Sequence, residues 1–151
     1  MDWAEFFGGL NRATASRRNA PGVRSLVHAK HEIDRRFIEP VRLDEVASSA
    51  RLSKYHLIRA FKRIYQRTTH QYVIERRVRR ARELLERTDL SVTAICFEVG
   101  FESLGSFVSM FGRIVGDSPK RYRERFRQGE RQPADAPAPA CFYNAFRRRP
   151  R

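Results

Sequence analysis

Cysteine is scarce in this chain. Cys96 and Cys141 are the only two among 151 residues, they lie far apart, and there is no Cys-x-x-Cys. With only four scattered histidines, neither a disulfide framework nor a metal-ligand set can be assembled, and a reducing compartment is expected. Long apolar runs are missing too. No stretch approaches the roughly 18 consecutive apolar residues of a membrane span, and Asp2 and Glu5 stand where a secretory signal carries basic residues. A membrane partner is therefore not expected. Nor is there a Gly-rich phosphate loop, a pair of carboxylates suited to acid–base work, or a Ser/His/Asp set, and Cys141 has no base close to it in sequence. Enzymatic activity and a bound cofactor are both unexpected.

Lysine is the last shortage, and it leads to what is abundant. Lys and Arg together number 31 against 17 Asp and Glu, a formal charge of +14, yet only Lys30, Lys54, Lys62 and Lys120 are lysines. Such a balance favours a polyanionic partner, whether DNA, RNA or an anionic surface. Arginine suits bidentate recognition of phosphate and guanine, although codon composition produces the same bias. At 41% apolar content the chain can bury the core of one domain.

The chain also repeats itself. Val46, Ala47, Ala50 and Leu52 recur 49 positions later as Ile95, Cys96, Val99 and Phe101; Leu57, Phe61 and Tyr72 recur 50 positions later as Phe107, Phe111 and Tyr122. Core-type positions match while those between them differ, as in two similar units facing different chemistry. Apolar periodicity and breakers outline each unit. A supporting helix runs from Val23 to Ile38, before Pro40. A short helix over Leu43 to Ala50 is followed by a turn at Arg51-Leu52, and Ser53 then caps a helix reaching about Tyr65. A long helix from about His70 to Arg87 leads to a second short helix, a turn at Gly100, a second capped helix at Ser103, and a last one from Pro119 to about Arg127.

Outside these units the composition changes. Trp3, Phe6, Phe7 and Leu10 have helical spacing weakened by Gly8 and Gly9, and Asn11 to Gly22 reads as a linker, so residues 1–22 are expected to be an arm. Residues 128–151 are expected to form a flexible tail, in which a Pro/Ala tract precedes an apolar knot at Cys141 to Phe146 and an arginine run. Either tail is a candidate contact for a protein partner.

Val99-Gly100-Phe101-Glu102-Ser103, followed by Phe107, Phe111, Gly116, Pro119 and Tyr122, resembles the DNA-binding domain of the AraC/XylS family. Leu43-Asp44-Glu45-Val46-Ala47, Ser53 to Lys62, and Ala81-Arg82-Glu83-Leu84-Leu85 carry the same resemblance. It covers about Leu26 to Arg125. The resemblance implies an all-α domain, residues 23–127, with two helix-turn-helix subdomains at about 43–65 and 91–115 joined by a connector helix at about 70–87, some seven helices in all. It further implies double-stranded DNA as partner, RNA polymerase as a second one, and the nucleoid-associated cytoplasm as location. With no room for a sensor domain, the chain is expected to be of the short type, like the multiple-antibiotic-resistance activators.

A connector of about 18 residues spans roughly 27 Å, comparable with the roughly 34 Å between successive major grooves on one face of DNA. The base-reading candidates are Lys54, Tyr55, Ile58 and Arg59 in the first unit, and Ser103, Leu104, Gly105 and Ser109 in the second. The phosphate candidates are Ser53, His56, Lys62, Arg63, Ser106 and Arg113. Tyr55 either stacks on a thymine methyl or covers the helix edge. Two departures from the family stand out: Gln66 occupies a position commonly Gly, and Leu104, Gly105, Ser109 and Gly112 are uncharged where polar or basic residues are common. The first helix is thus expected to carry most base reading and the second to position. A protein-interaction adaptor and a nonspecific nucleoid binder are the competing readings.

Overall fold

Serine and threonine hydroxyls set the starts of most helices. Ser53, Ser91, Ser103 and Ser118 each accept a hydrogen bond from the backbone N–H three residues on, at 3.0–3.3 Å. Thr68 goes further. Its Oγ1 accepts from the Gln71 N–H at 3.1 Å while its own N–H donates to Gln71 Oε1 at 2.8 Å, a reciprocal capping box. Each such cap stabilises its helix by about 1 kcal/mol.

The computed structural model describes residues 21–129, which form seven helices. These are α1 (Pro21–Arg36), α2 (Leu43–Ser49), α3 (Lys54–Tyr65), α4 (Thr69–Arg87), α5 (Val92–Glu98), α6 (Leu104–Val115) and α7 (Pro119–Arg127). The fold is all-α, with two helix-turn-helix subdomains and α4 as the connector between them in the chain. The arm and linker up to residue 20 and the tail from residue 130 lie outside the described residues.

Four helix boundaries differ from those expected: α2 ends at Ser49 rather than Ala50, although the Ala50 N–H still donates to the Val46 carbonyl at 3.2 Å. α1 begins at Pro21 rather than Val23, because proline at the first helical position lacks only an N–H that would be unpaired anyway. It ends at Arg36 rather than Ile38: the Glu39 N–H turns back to the Arg36 carbonyl at 3.0 Å, and Pro40 disfavours helical backbone at the residue before it. α4 starts at Thr69 rather than His70, through the Thr68–Gln71 box.

The chain divides into two units, one ending at Val73 and the other beginning at Ile74. In the first, Leu57 and Phe61 of α3 are fully buried with Ile33 of α1 and Val46 of α2. In the second, Phe107 and Phe111 of α6 are fully buried with Leu85 of α4 and Ile95 of α5. The repeat reaches further than the sequence reading placed it. Leu26, Ala29 and Ile33 of α1 match Val78, Ala81 and Leu85 of α4, all buried, at a spacing of 52. Polar groups repeat with them. Tyr72 Oη donates to Asp34 at 2.6 Å, and Lys30 pairs with Asp34 at 2.7 Å while lying 5.3 Å from the Tyr72 ring centre. Likewise Tyr122 Oη donates to Glu86, Arg82 Nε donates to Tyr122 Oη at 3.1 Å, and the Arg82 guanidinium lies 5.4 Å from that ring centre. Glu86 thus serves this tyrosine, whereas Glu83 pairs on the helix surface with Arg80 at 2.9 Å.

The two units solve the same backbone problem with different residues. Left-handed backbone occurs at Arg51 (φ 55°) and Gln66 (φ 55°) in the first, and at Gly100 (φ 88°) and Gly116 (φ 85°) in the second. A side chain in this region costs about 1 kcal/mol that glycine avoids. Gln66 recovers part of that through Nε2, which donates to the Arg63 carbonyl at 2.8 Å. Among the described residues Arg51 has no such bond, so Arg51→Gly is expected to stabilise the first unit by up to about 1 kcal/mol, less the added freedom of the unfolded chain. Urea unfolding followed by circular dichroism checks this; an unchanged or lower midpoint would show that the strain is relieved in some other way.

Candidate nucleic-acid interface

α3 and α6 each follow a turn closed in the same manner. The Leu52 N–H donates to the Ala47 carbonyl at 2.9 Å, and the Phe101 N–H donates to the Cys96 carbonyl at 3.0 Å. In both units this bond fixes the short helix against the start of the next. The buried faces of α3 and α6 are alike. Their outer faces are not.

On α3 the outer face consists of Lys54, Tyr55, Ile58, Arg59, Lys62 and Arg63; Ile58 is half-buried and the others are exposed. Four of these are cationic, and the helix contains no carboxylate. Tyr55 is 77% exposed, so it does not cover the helix edge. Among the described residues, Arg59, Lys62 and Arg63 have no acidic partner. Lys54 does: its ammonium lies 3.1 Å from Asp44 of α2. This contact offsets the misplacement of a cation in the first turn of a helix, and as an exposed pair it is worth about 0–1 kcal/mol and can be exchanged for another anion. No local pattern announces it, since Asp44 and Lys54 sit on consecutive helices. Ser53 is committed to capping through the His56 N–H, while the His56 side chain is exposed.

On α6 the equivalent positions are Leu104, Gly105, Val108, Ser109, Gly112 and Arg113. Leu104 and Val108 are 39% and 36% exposed, and Arg113 is the sole charge on the helix. Ser103 accepts from the Ser106 N–H at 3.3 Å, and its Oγ lies 2.9 Å from Ser106 Oγ. The two hydroxyls therefore occupy each other at the helix start. At the same unit's turn, the Arg77 guanidinium lies 5.9 Å from the Phe101 ring centre, where burial pushes its pKa down and Glu102 opposes that shift.

Two groups behind these faces have displaced titrations. Burial pushes the Cys96 thiol up, as expected for a small core residue. Burial and then the Asp34 charge push the Tyr65 phenol from 10.0 up to about 12. Between those values the unfolded chain gives up this proton and the folded one keeps it, so the stability that neutral Tyr65 contributes below pH 10 is lost as pH rises towards 12. Unfolding midpoints of the first unit should fall across that window, and fall less steeply in Tyr65→Phe; parallel slopes would place the titration elsewhere.

Comparison with known proteins identifies the arrangement. The family described as a helix-turn-helix domain matches residues 46–125. A crystal structure of a transcriptional regulator from Chromobacterium violaceum, described by its AraC-type DNA-binding domain, is 29% identical, with a TM-score of 0.65 over 69% of this chain and 93% of that one. The chain belongs to the AraC/XylS-type helix-turn-helix regulators. The DNA-binding domain of AdpA, solved in complex with a target DNA, is 28% identical, with a TM-score of 0.64 over 69% of this chain and 94% of that one. Among curated relatives, the MmsAB operon regulatory protein of Pseudomonas aeruginosa is 32% identical over 72% of this chain and 32% of its own length. The melibiose operon regulatory protein of Escherichia coli is 34% identical over 61% and 30%. The chain thus spans about a third of the length of these curated relatives. Its helix-turn-helix is a regulatory DNA-binding domain. Among the described residues no group of His, Cys, Asp and Glu is placed to hold a metal, and no helix is long and apolar enough to cross a membrane.

Proposed function

We propose that this AraC/XylS-type domain inserts α3 and α6 into successive major grooves of double-stranded DNA, with α3 carrying most of the base readout. The observation that supports this most is the outer face of α3, where three exposed cations without acidic partners among the described residues and an exposed tyrosine follow a capped helix start. Arg59 is the candidate for a bidentate guanine contact, which discriminates by about 1–3 kcal/mol. Tyr55 and Ile58 offer apolar contact to thymine. Lys62, Arg63 and the exposed His56 meet phosphates, and Lys54 trades Asp44 for a base edge or phosphate. On α6, Ser103 and Ser106 at the helix start and Arg113 near its end hold the backbone, while Leu104, Gly105 and Ser109 face the bases. Acting in the nucleoid-associated cytoplasm, the domain places its own chain, and RNA polymerase through it, at a promoter.

The test is selection of bound duplexes from a random pool. The best duplex is then titrated against a scrambled one at several salt concentrations. A specific regulator prefers its site by about a thousandfold or more, whereas phosphate-only binding is similar on both and falls steeply with salt. A consensus with one sharply defined half and one looser half is the expected outcome. Equal binding to scrambled DNA would replace this reading with that of a nonspecific nucleoid binder.

A further inference from the structure

In a chain carrying +14, the outer strip of α6 is notable for having almost no charge. Leu104 and Val108 are four residues apart, hence neighbours on one helix face, and both are exposed. Beside them run Gly105, Ser109 and Gly112. The fold itself demands neither glycine: a Cβ at 105 would meet nothing within 4 Å, and one at 112 would meet only the Asp117 carbonyl at an ordinary 3.9 Å. Neither has the positive φ that favours glycine. Glycine nonetheless lowers helix stability relative to alanine, and two of them in twelve residues form a bare strip beside two apolar side chains.

A bare apolar strip on a recognition helix has few matches in a major groove. Base edges there present hydrogen-bond donors and acceptors, and the one apolar group among them is the C5-methyl of thymine. Gly105 and Gly112 let the helix backbone approach the groove floor, and Leu104 and Val108 then reach methyls rather than polar edges. We infer that α6 reads thymine C5-methyl groups through Leu104 and Val108, so that the half of the site facing the second unit is selected for its methyls, while α3 combines a polar base edge at Arg59 with apolar contact at Tyr55 and Ile58. This rests on the DNA-binding reading above, and it gives the base-facing strip of α6 a distinct, apolar mode of readout.

The experiment uses the full chain and the duplex recovered by random-pool selection. Each thymine is replaced in turn by deoxyuridine, which removes the methyl and leaves the pairing edge intact. The wild type and a Leu104→Ala/Val108→Ala variant are titrated on every duplex; both side chains are exposed, so the variant is expected to fold, which thermal unfolding checks. Burying one methyl-sized group is worth about fourfold in affinity, so about fourfold weaker wild-type binding is expected at each contacted thymine. In the variant, the deoxyuridine penalties at one group of positions should fall to about onefold. Specific binding with no deoxyuridine penalty in either half overturns the inference and leaves the regulator reading standing. If every penalty persists in the variant, the assignment to Leu104 and Val108 is overturned. Failure to prefer any duplex over scrambled DNA overturns both readings and leaves the strip as a surface for a protein partner.

Discussion

Phe107→Ala is expected to destabilise the second unit by about 3–5 kcal/mol, the range for a buried phenylalanine cut to alanine. The side chain is completely buried. Its ring centre lies 5.2 Å from that of Phe101 and 5.7 Å from that of Phe111, and Phe111 in turn lies 5.7 Å from Tyr122. One aromatic file thus ties the turn, α6 and α7 together, and Tyr122 extends it through Glu86 and Arg82 to α4. Removing its second member leaves a cavity lined by rings, which close up poorly because each is also held by its other neighbour. Small domains have only about 5–15 kcal/mol of stability in total, so the loss is large. Amide hydrogen exchange should accelerate through residues 92–127, while α2 and α3, whose core is built on Phe61, keep their protection. Phe107→Leu, closer in volume, should cost less than about 1.5 kcal/mol if the cavity is the cause. Equal losses from both variants would point instead to the aromatic contacts themselves.

Much of this arrangement was legible in the sequence because it is local or periodic. The Ser caps, the apolar faces of α3 and α6, and the 49- and 50-residue offsets all follow from spacing along the chain. The match of α1 to the second half of α4 was missed, although Leu26, Ala29 and Ile33 repeat as Val78, Ala81 and Leu85. Its offset of 52 differs from the others because the loops between helices differ in length, so a search at fixed spacing passes over it. Thr68-x-x-Gln71 was readable as a capping box and would have fixed the start of α4. Other features had no local signal. The bond from Tyr72 to Asp34 crosses 38 residues and that from Tyr122 to Glu86 crosses 36, so periodicity within one helix does not reveal either. Lys54 was identified as a base-facing residue, but its Asp44 contact depends on the angle at which α2 meets α3. The left-handed Arg51 was hidden because arginine rarely takes that backbone, and only its alignment with Gly100 gives it away.

The contrast between the outer faces of α3 and α6 leads to the second large effect. Arg59 is exposed, belongs to a helix without carboxylates, and aligns with Ser109 across the repeat, so its charge is dispensable to the shared fold. Arg59→Ala is therefore expected to leave stability nearly unchanged and to cost about 1–3 kcal/mol of discrimination at one base pair, a loss of roughly fivefold to 150-fold. Arg59→Lys should not restore it, because a point charge cannot reproduce two parallel hydrogen bonds to a guanine edge. Lys62→Ala provides the contrast. As a phosphate contact it should weaken all duplexes alike and lower the salt slope by about one, with sequence preference intact. Titration of the wild type and the three variants on the selected duplex and its single-base-pair changes separates these effects. If Arg59→Ala leaves the preference untouched while changes at Leu104 or Ser109 abolish it, the roles of the two helices are reversed: the apolar strip then carries the specificity, and the cationic face of α3 supplies affinity alone.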